Sequence, residues 1–257
     1  MIDNSTLPFI FSVEMVGCVA SRMLAAPLEA HVEAVFDSTF YLRSDPFLAC
    51  IGSDKMEPGP LNIVTSAPPG MNWQASGLQV QASARVSSSE IRIGNQFVFR
   101  VELPFVWSPE LIAGPLDPKS VKRGLDAFVA GAPEVVPDEG VARLLLPGFQ
   151  PERQHYVCRA ACGPMEEARQ WASQEFSSPG LNGQETFGWV EKLSGLGPGL
   201  TPSGDDVLGG MMIVLHRVGA VDSCQSLWRA VRRCAEETSN PISYAHLAAA
   251  SEGTCGA

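Results

Sequence analysis

Positive charge is scarce in this sequence. Over 257 residues, 18 Lys and Arg face 28 Asp and Glu, for a formal net charge of −10. A nucleic-acid groove needs clustered cations to neutralise phosphates, so this balance argues against one and leaves room only for a local basic pocket. Long hydrophobic runs are also missing. No uninterrupted stretch reaches the roughly 18 apolar residues of a membrane span, so no membrane contact is expected. A cysteine framework is absent too: the seven cysteines, Cys18, Cys50, Cys158, Cys162, Cys224, Cys234 and Cys255, are scattered and odd in number. That usage fits a reducing compartment and places the chain in the cytoplasm. Residues 8–26 are apolar, but Asp3 precedes them without a cation and Glu14 interrupts them. They are therefore not read as a secretory leader.

Apolar residues are plentiful, at 45% with a mean hydropathy of +0.06. The chain can bury a substantial core in one large or two smaller domains. Its character changes near the middle. Short apolar runs broken by turn residues predict strands at 35–42, 47–51, 61–66, 78–86 and 96–103, with a hairpin over 91–99 turning at Gly94-Asn95. The strict alternation in 78–86 is that of a strand with one face buried. Residues 107–150 are heavy in proline and glycine, with one helix predicted over 121–130. Beyond them the period becomes helical, with helices predicted at 165–176, 186–192, 205–218, 223–237 and 242–251. The expected architecture is α+β: a β-rich region at 1–106, sheet or barrel-like, a connection at 107–150, and a mainly α-helical region at 151–257.

The helical half carries the run Gly195-Leu196-Gly197-Pro198-Gly199-Leu200-Thr201-Pro202-Ser203-Gly204-Asp205-Asp206, which passes into the apolar stretch 207–218. Such a loop delivers two carboxylates and two hydroxyls to a helix N-terminus. It is not a dinucleotide fingerprint, because Leu200 stands where the third glycine belongs and no strand precedes it. Nor is it a P-loop, since Asp205 and Asp206 replace the phosphate-holding Lys and its Ser or Thr. A capping box with Ser203 as N-cap and Asp206 reaching back explains part of the pattern structurally. It leaves Asp205, the glycines at 195, 197 and 199, and the helical pair Gly209-Gly210 unexplained. Helical glycine costs about 1 kcal/mol relative to alanine, so the pair predicts close approach by backbone or ligand. Free N–H groups at the helix start favour an anion, whereas the carboxylates accept from an amide NH2 or hold a metal.

The loop resembles the signature of the AllH-like family, formerly a domain of unknown function and linked to one subunit of oxamate carbamoyltransferase. Gly59-Pro60-Leu61-Asn62-Ile63 and 238–248 with Ile242-Ser243 resemble it more weakly, and Glu57-Pro58-Gly59 departs from the family's common Gly-Asn-Gly. The resemblance implies a role in allantoin catabolism and purine degradation, converting oxalurate and phosphate to oxamate and carbamoyl phosphate within a multi-subunit assembly. The expected partners are thus a small anionic or amide-bearing substrate and other carbamoyltransferase subunits.

On this reading Asp205 and Asp206 are the catalytic carboxylates, or hold Mg2+ if a metal is used, no cofactor being otherwise expected. Gly195, Gly197, Gly199, Thr201, Ser203, Gly204, Asn62 and Ser243 bind substrate. The cation for phosphate must come from elsewhere, with Arg85, Arg92 and Lys192 as candidates. Asp205→Asn is expected to damage ligand binding more than folding. The alternative is a non-catalytic ligand-binding or scaffolding subunit, which allows an apolar surface where the enzyme needs convergent cations and a polar pocket. His155-x-x-Cys158-x-x-x-Cys162 lacks the fourth ligand of a structural zinc site. His216 falls where a helix dipole favours a cation, and His246 shares the last helix with Ser243. His31 has no informative neighbour, and no nucleophile elbow surrounds any serine.

Overall fold

The computed structural model describes residues 7–110, 116–136, 140–145, 155–177 and 187–255. They form two compact units, one containing residues 1–110 and the other 111–253, with 254–257 grouped with the first.

The first unit is a closed eight-stranded barrel. Its strands are β1 (Phe9–Gly17), β2 (Leu28–Val35), β3 (Thr39–Ser44), β4 (Phe47–Gly52), β5 (Asn62–Thr65), β6 (Ser83–Val86), β7 (Glu90–Ile93) and β8 (Phe97–Trp107). Around the barrel the order is β1-β5-β4-β3-β2-β6-β7-β8. The β1/β8 and β4/β5 pairs are parallel and the others antiparallel. Alternation sends Phe40 and Leu42 of β3, Ile91 and Ile93 of β7, and Phe97 and Phe99 of β8 into the interior, all fully or almost fully buried. Each such side chain contributes about 1.5–3 kcal/mol of transfer free energy. Trp73, from the segment between β5 and β6, sits among them with its ring 4.8 Å from Phe40 and its Nε1 donating to the Ser38 carbonyl at 3.1 Å.

Three of the strand readings change, as does the reading of the apolar segment near the N-terminus. The run 35–42 spans the end of β2, a turn at 36–38 closed by Phe36 N–H on the Thr39 carbonyl, and the start of β3. In 78–86 only Ser83–Val86 joins the ladder: Gln81 has φ of +66° and Ala82 N–H turns back to Gln79, so the alternation before it belongs to a loop laid on the barrel. β8 continues past Leu103 to Trp107. Leu103 has φ of +52°, and the β1/β8 register steps from Val13↔Val101 to Met15↔Phe105, a bulge that accommodates Pro104 within a strand. The apolar segment considered as a leader is largely β1, which closes the barrel. The hairpin stands as expected, with Gly94 at φ of +50° between β7 and β8.

The second unit is helical. α1 (Pro118–Val135) is longer than predicted and starts at Asp117, whose carboxylate accepts from Lys119 N–H and Ser120 N–H, with Pro118 in the first turn. Much of the remaining connection lies outside the described residues. α2 (Tyr156–Ser177) begins well before the predicted residue 165 and carries Pro164 inside it. α3 (Gly188–Leu193), α4 (Ser203–Arg217), α5 (Val221–Thr238) and α6 (Pro241–Ser251) follow; Thr186, the predicted start of α3, lies outside the described residues. Leu208, Met212 and Leu215 of α4 pack with Trp189, Leu193, Leu227, Val231 and Leu247. Gly209 lets α4 approach α6, its missing Cβ position lying 3.6 Å from Ala250 Cβ, whereas Gly210 faces open space. Among the described residues no helix is long and apolar enough to cross a membrane.

Candidate functional site

The glycine loop joins α3 to α4. Gly195, Gly197 and Gly199 have φ of +71°, +122° and +96°, the left-handed region in which other L-residues are strained. A Cβ at Gly195 would press on the Thr238 carbonyl and one at Gly197 on the Ser203 amide, while Gly199 borders open space. Gly204 has a different reason to be glycine. Its N–H donates to the Leu196 carbonyl at 2.9 Å, and a Cβ there would overlap the Leu193 carbonyl oxygen. The loop therefore folds back over the first turn of α4.

Asp205 is 2% exposed and fully engaged. Its Oδ1 accepts from Gly195 N–H at 2.7 Å, and its Oδ2 accepts from Ser239 Oγ at 2.8 Å and Ser243 Oγ at 2.6 Å. One carboxylate thus joins the start of the loop, the first turn of α4 and the N-terminal end of α6. Asn240 adds a second tie. Its Oδ1 caps α6 by accepting from Ile242 N–H and Ser243 N–H at 3.0 Å each, and its Nδ2 donates to the Leu200 carbonyl at 2.8 Å. Ser243 is accordingly a partner of Asp205.

The capping box does not form. Pro202 occupies the N-cap position without a side-chain bond, and Ser203 is the first helical residue, beside the turn at Gly140. Pro202 displaces the cap because its fixed φ suits the entry to the helix, where the chain has already turned on Gly199. Asp206 N–H closes the first turn on the Pro202 carbonyl. Asp206 keeps contact with solvent. Desolvation by the surrounding loop, followed by the neighbouring Asp205 charge, pushes its carboxyl up to about 6, with the Thr201 bond opposing. It can therefore hold or release a proton near neutral pH.

The sign of the consequence is fixed. Because the folded value lies above the unfolded one, the folded chain binds more protons between the ordinary value of 3.8 and about 6, and stability falls as pH rises through that window. Asp206→Asn removes the penalty. It should melt above the wild type at pH 7.5, with the gap closing as pH falls through 6 towards 4; a gap independent of pH in thermal melts contradicts this assignment.

The other expected residues fall elsewhere. Asn62 opens β5 in the barrel unit, and its Nδ2 donates to the Glu57 carbonyl at 2.8 Å, bracing the turn over Gly59. That turn is a packing feature: Val19 N–H and Ala20 N–H both donate to the Pro60 carbonyl, and Gly17 has no room for a Cβ against Gly59 and Pro60. The three candidate cations each face a carboxylate, Arg85 with Glu29, Arg92 with Glu90 and Lys192 with Glu167. A Mg2+ held by both aspartates does not fit, because Asp205 is buried and its oxygens already accept three bonds. Among the described residues no group of three His, Cys, Asp or Glu is placed to hold a metal. Cys158 is buried and Cys162 Sγ bonds its carbonyl within α2; His216 packs against Gly253, and His246 is exposed on α6. His31 pairs with Glu33 on the barrel.

Ser239 and Asn240 are the site residues not picked out from sequence. Their signal was Ser239-Asn240-Pro241, an N-cap residue followed by proline at the first helical position. The cluster from Leu193 to Ser243 falls within the segment that a family model matches. A family model described as oxamate carbamoyltransferase subunit AllH matches residues 193–257, the family that the glycine loop resembles. No curated protein and no solved structure matches the chain.

Proposed function

We propose that the loop 195–206 and the start of α4 form a site for a small carbamoyl or ureido acid, and that the chain is a subunit of a carbamoyltransferase converting oxalurate and phosphate to oxamate and carbamoyl phosphate. The observation that carries this reading is the division between the two aspartates. Asp205 is closed off as a structural anchor, whereas Asp206 reaches solvent beside Thr201 with a carboxyl poised to titrate near neutral pH. The description of the family whose model matches residues 193–257, an oxamate carbamoyltransferase subunit, supports the reaction class.

In this reaction a phosphate oxygen adds to the ureido carbonyl carbon, the bond from that carbon to the oxamate nitrogen breaks, and the nitrogen takes up a proton. Hydrogen phosphate supplies that proton, so the balance needs a group that takes it at one atom and returns it at another. Asp206 has the proton affinity for such a shuttle. Thr201 orients it, and backbone N–H groups of the glycine loop meet the carbonyl oxygen as charge develops there. With Arg85, Arg92 and Lys192 paired to carboxylates, the cation that neutralises phosphate comes, on this reading, from another subunit. The same pairing is the observation favouring the second reading, a ligand-binding or scaffolding subunit without its own chemistry.

Thermal-shift measurements with oxamate, oxalurate, carbamoyl phosphate and phosphate, each with and without Mg2+, test the site through ligand linkage. The expected result is a rise in Tm of the wild type with the carbamoyl compounds, independent of Mg2+ and absent in Asp206→Asn. A well-folded chain that responds to none of them points to the scaffolding reading.

A further inference from the structure

Asn240 touches both the first turn of α6 and the glycine loop, and its two ends do different work. The orientation of its amide is set by its neighbours: two N–H donors, of Ile242 and Ser243, require the oxygen on one side, and the Leu200 carbonyl requires the NH2 on the other. Gly199, with open space at its Cβ position, precedes Leu200, and Thr201 follows it. Asp205 holds the loop at Gly195 and again through α4 itself. Asn240 holds it between those points, at Leu200.

We infer that Asn240 is a positioning residue, whose donation to the Leu200 carbonyl sets the place of the loop tip and through it of Thr201 and Asp206. The inference rests on the site proposed above for its functional consequence, and on the hydrogen-bond geometry alone for its structural one. Without the Nδ2 bond, the segment 197–201 is a run of glycines and a proline with open space on one side. With the bond, the N-terminal ends of α4 and α6 move as one piece with the loop between them.

The capping and clamping roles can be separated, because Asp and Ser cap a helix about as well as Asn but neither donates to Leu200 as the amide does. Backbone order parameters from 15N relaxation at Gly199, Leu200 and Thr201 should fall from the rigid range of about 0.85 to below about 0.6 in Asn240→Asp and Asn240→Ser, while Ile242 and Ser243 keep their wild-type values. Asn240→Ala, which also loses the cap, should show the same loosening with a lower Tm than the two capping variants. Carbamoyl phosphate, titrated calorimetrically, should bind Asn240→Asp and Asn240→Ser roughly tenfold more weakly. Wild-type order parameters at 199–201 in both capping variants overturn the inference. If wild type itself does not bind carbamoyl phosphate, the site reading fails while the relaxation comparison still decides the clamp.

Discussion

Asp205→Ala should destabilise the helical unit by about 3–5 kcal/mol, because it leaves a backbone N–H and two hydroxyls without their acceptor in a buried position. The Gly195 N–H bonds Asp205 at 2.7 Å, and both serine hydroxyls meet the same carboxylate oxygen. The hydroxyls can rotate towards other acceptors; the Gly195 amide, fixed by a φ of +71°, cannot. For a unit of this size the loss corresponds to a fall of roughly 10 °C or more in Tm. Helix ellipticity during heating reads it directly, and a Tm within about 1 °C of wild type would contradict the anchor role. Asp205→Asn keeps one acceptor oxygen but turns an NH2 towards donors, so it should fall between the two. The sequence-based expectation was that this variant damages ligand binding more than folding; with Asp205 buried and its oxygens already accepting three bonds, the larger effect expected here is on folding.

Gly204→Ala should be nearly as damaging, by about 3 kcal/mol or more. The added methyl would overlap the Leu193 carbonyl oxygen and crowd its carbon and Leu196 Cβ, and two of these three are backbone atoms held by α3 and by the Gly204 to Leu196 bond. Gly210→Ala, two turns further along the same helix, provides the contrast. Its Cβ would enter open space in an exposed position, so alanine should stabilise by about 0.5–1 kcal/mol. Urea unfolding of the pair should show opposite shifts of midpoint. Equal effects from the two would mean that helix propensity alone governs this helix, and that the loop does not bear on its first turn.

The sequence made the α+β division, the hairpin at Gly94 and the helices after Pro151 legible because each rests on local signals: alternation, turn glycines and 3.6-residue periodicity. What it hid was set by contacts distant in the chain. β1 looked like an isolated apolar segment because its partners, β5 and β8, lie about fifty and ninety residues away. The bulge at Leu103 is needed only to fit Pro104 against β1, so nothing local announced the continuation of β8. In the site, the glycine loop and its two aspartates were evident from residue type and spacing. Their separate roles were not, since they depend on Ser239, Asn240 and Ser243 folding back more than thirty residues later. The Ser203 cap failed for a local reason, the proline before it, and the pull towards a capping box came from counting Asp206 without its Thr201 partner.

The central claim is that a carbamoyl acid binds at the glycine loop with Asp206 facing it and Asp205 behind it. Backbone amide shifts of the isotopically labelled full chain, recorded while titrating first oxamate and then carbamoyl phosphate, address it most directly. The account predicts saturable shifts at Gly197, Gly199, Leu200, Thr201, Ser203 and Asp206, lost in Asp206→Asn while the folded spectrum is kept. Saturable shifts that leave 195–206 untouched, or that persist in Asp206→Asn, would contradict it.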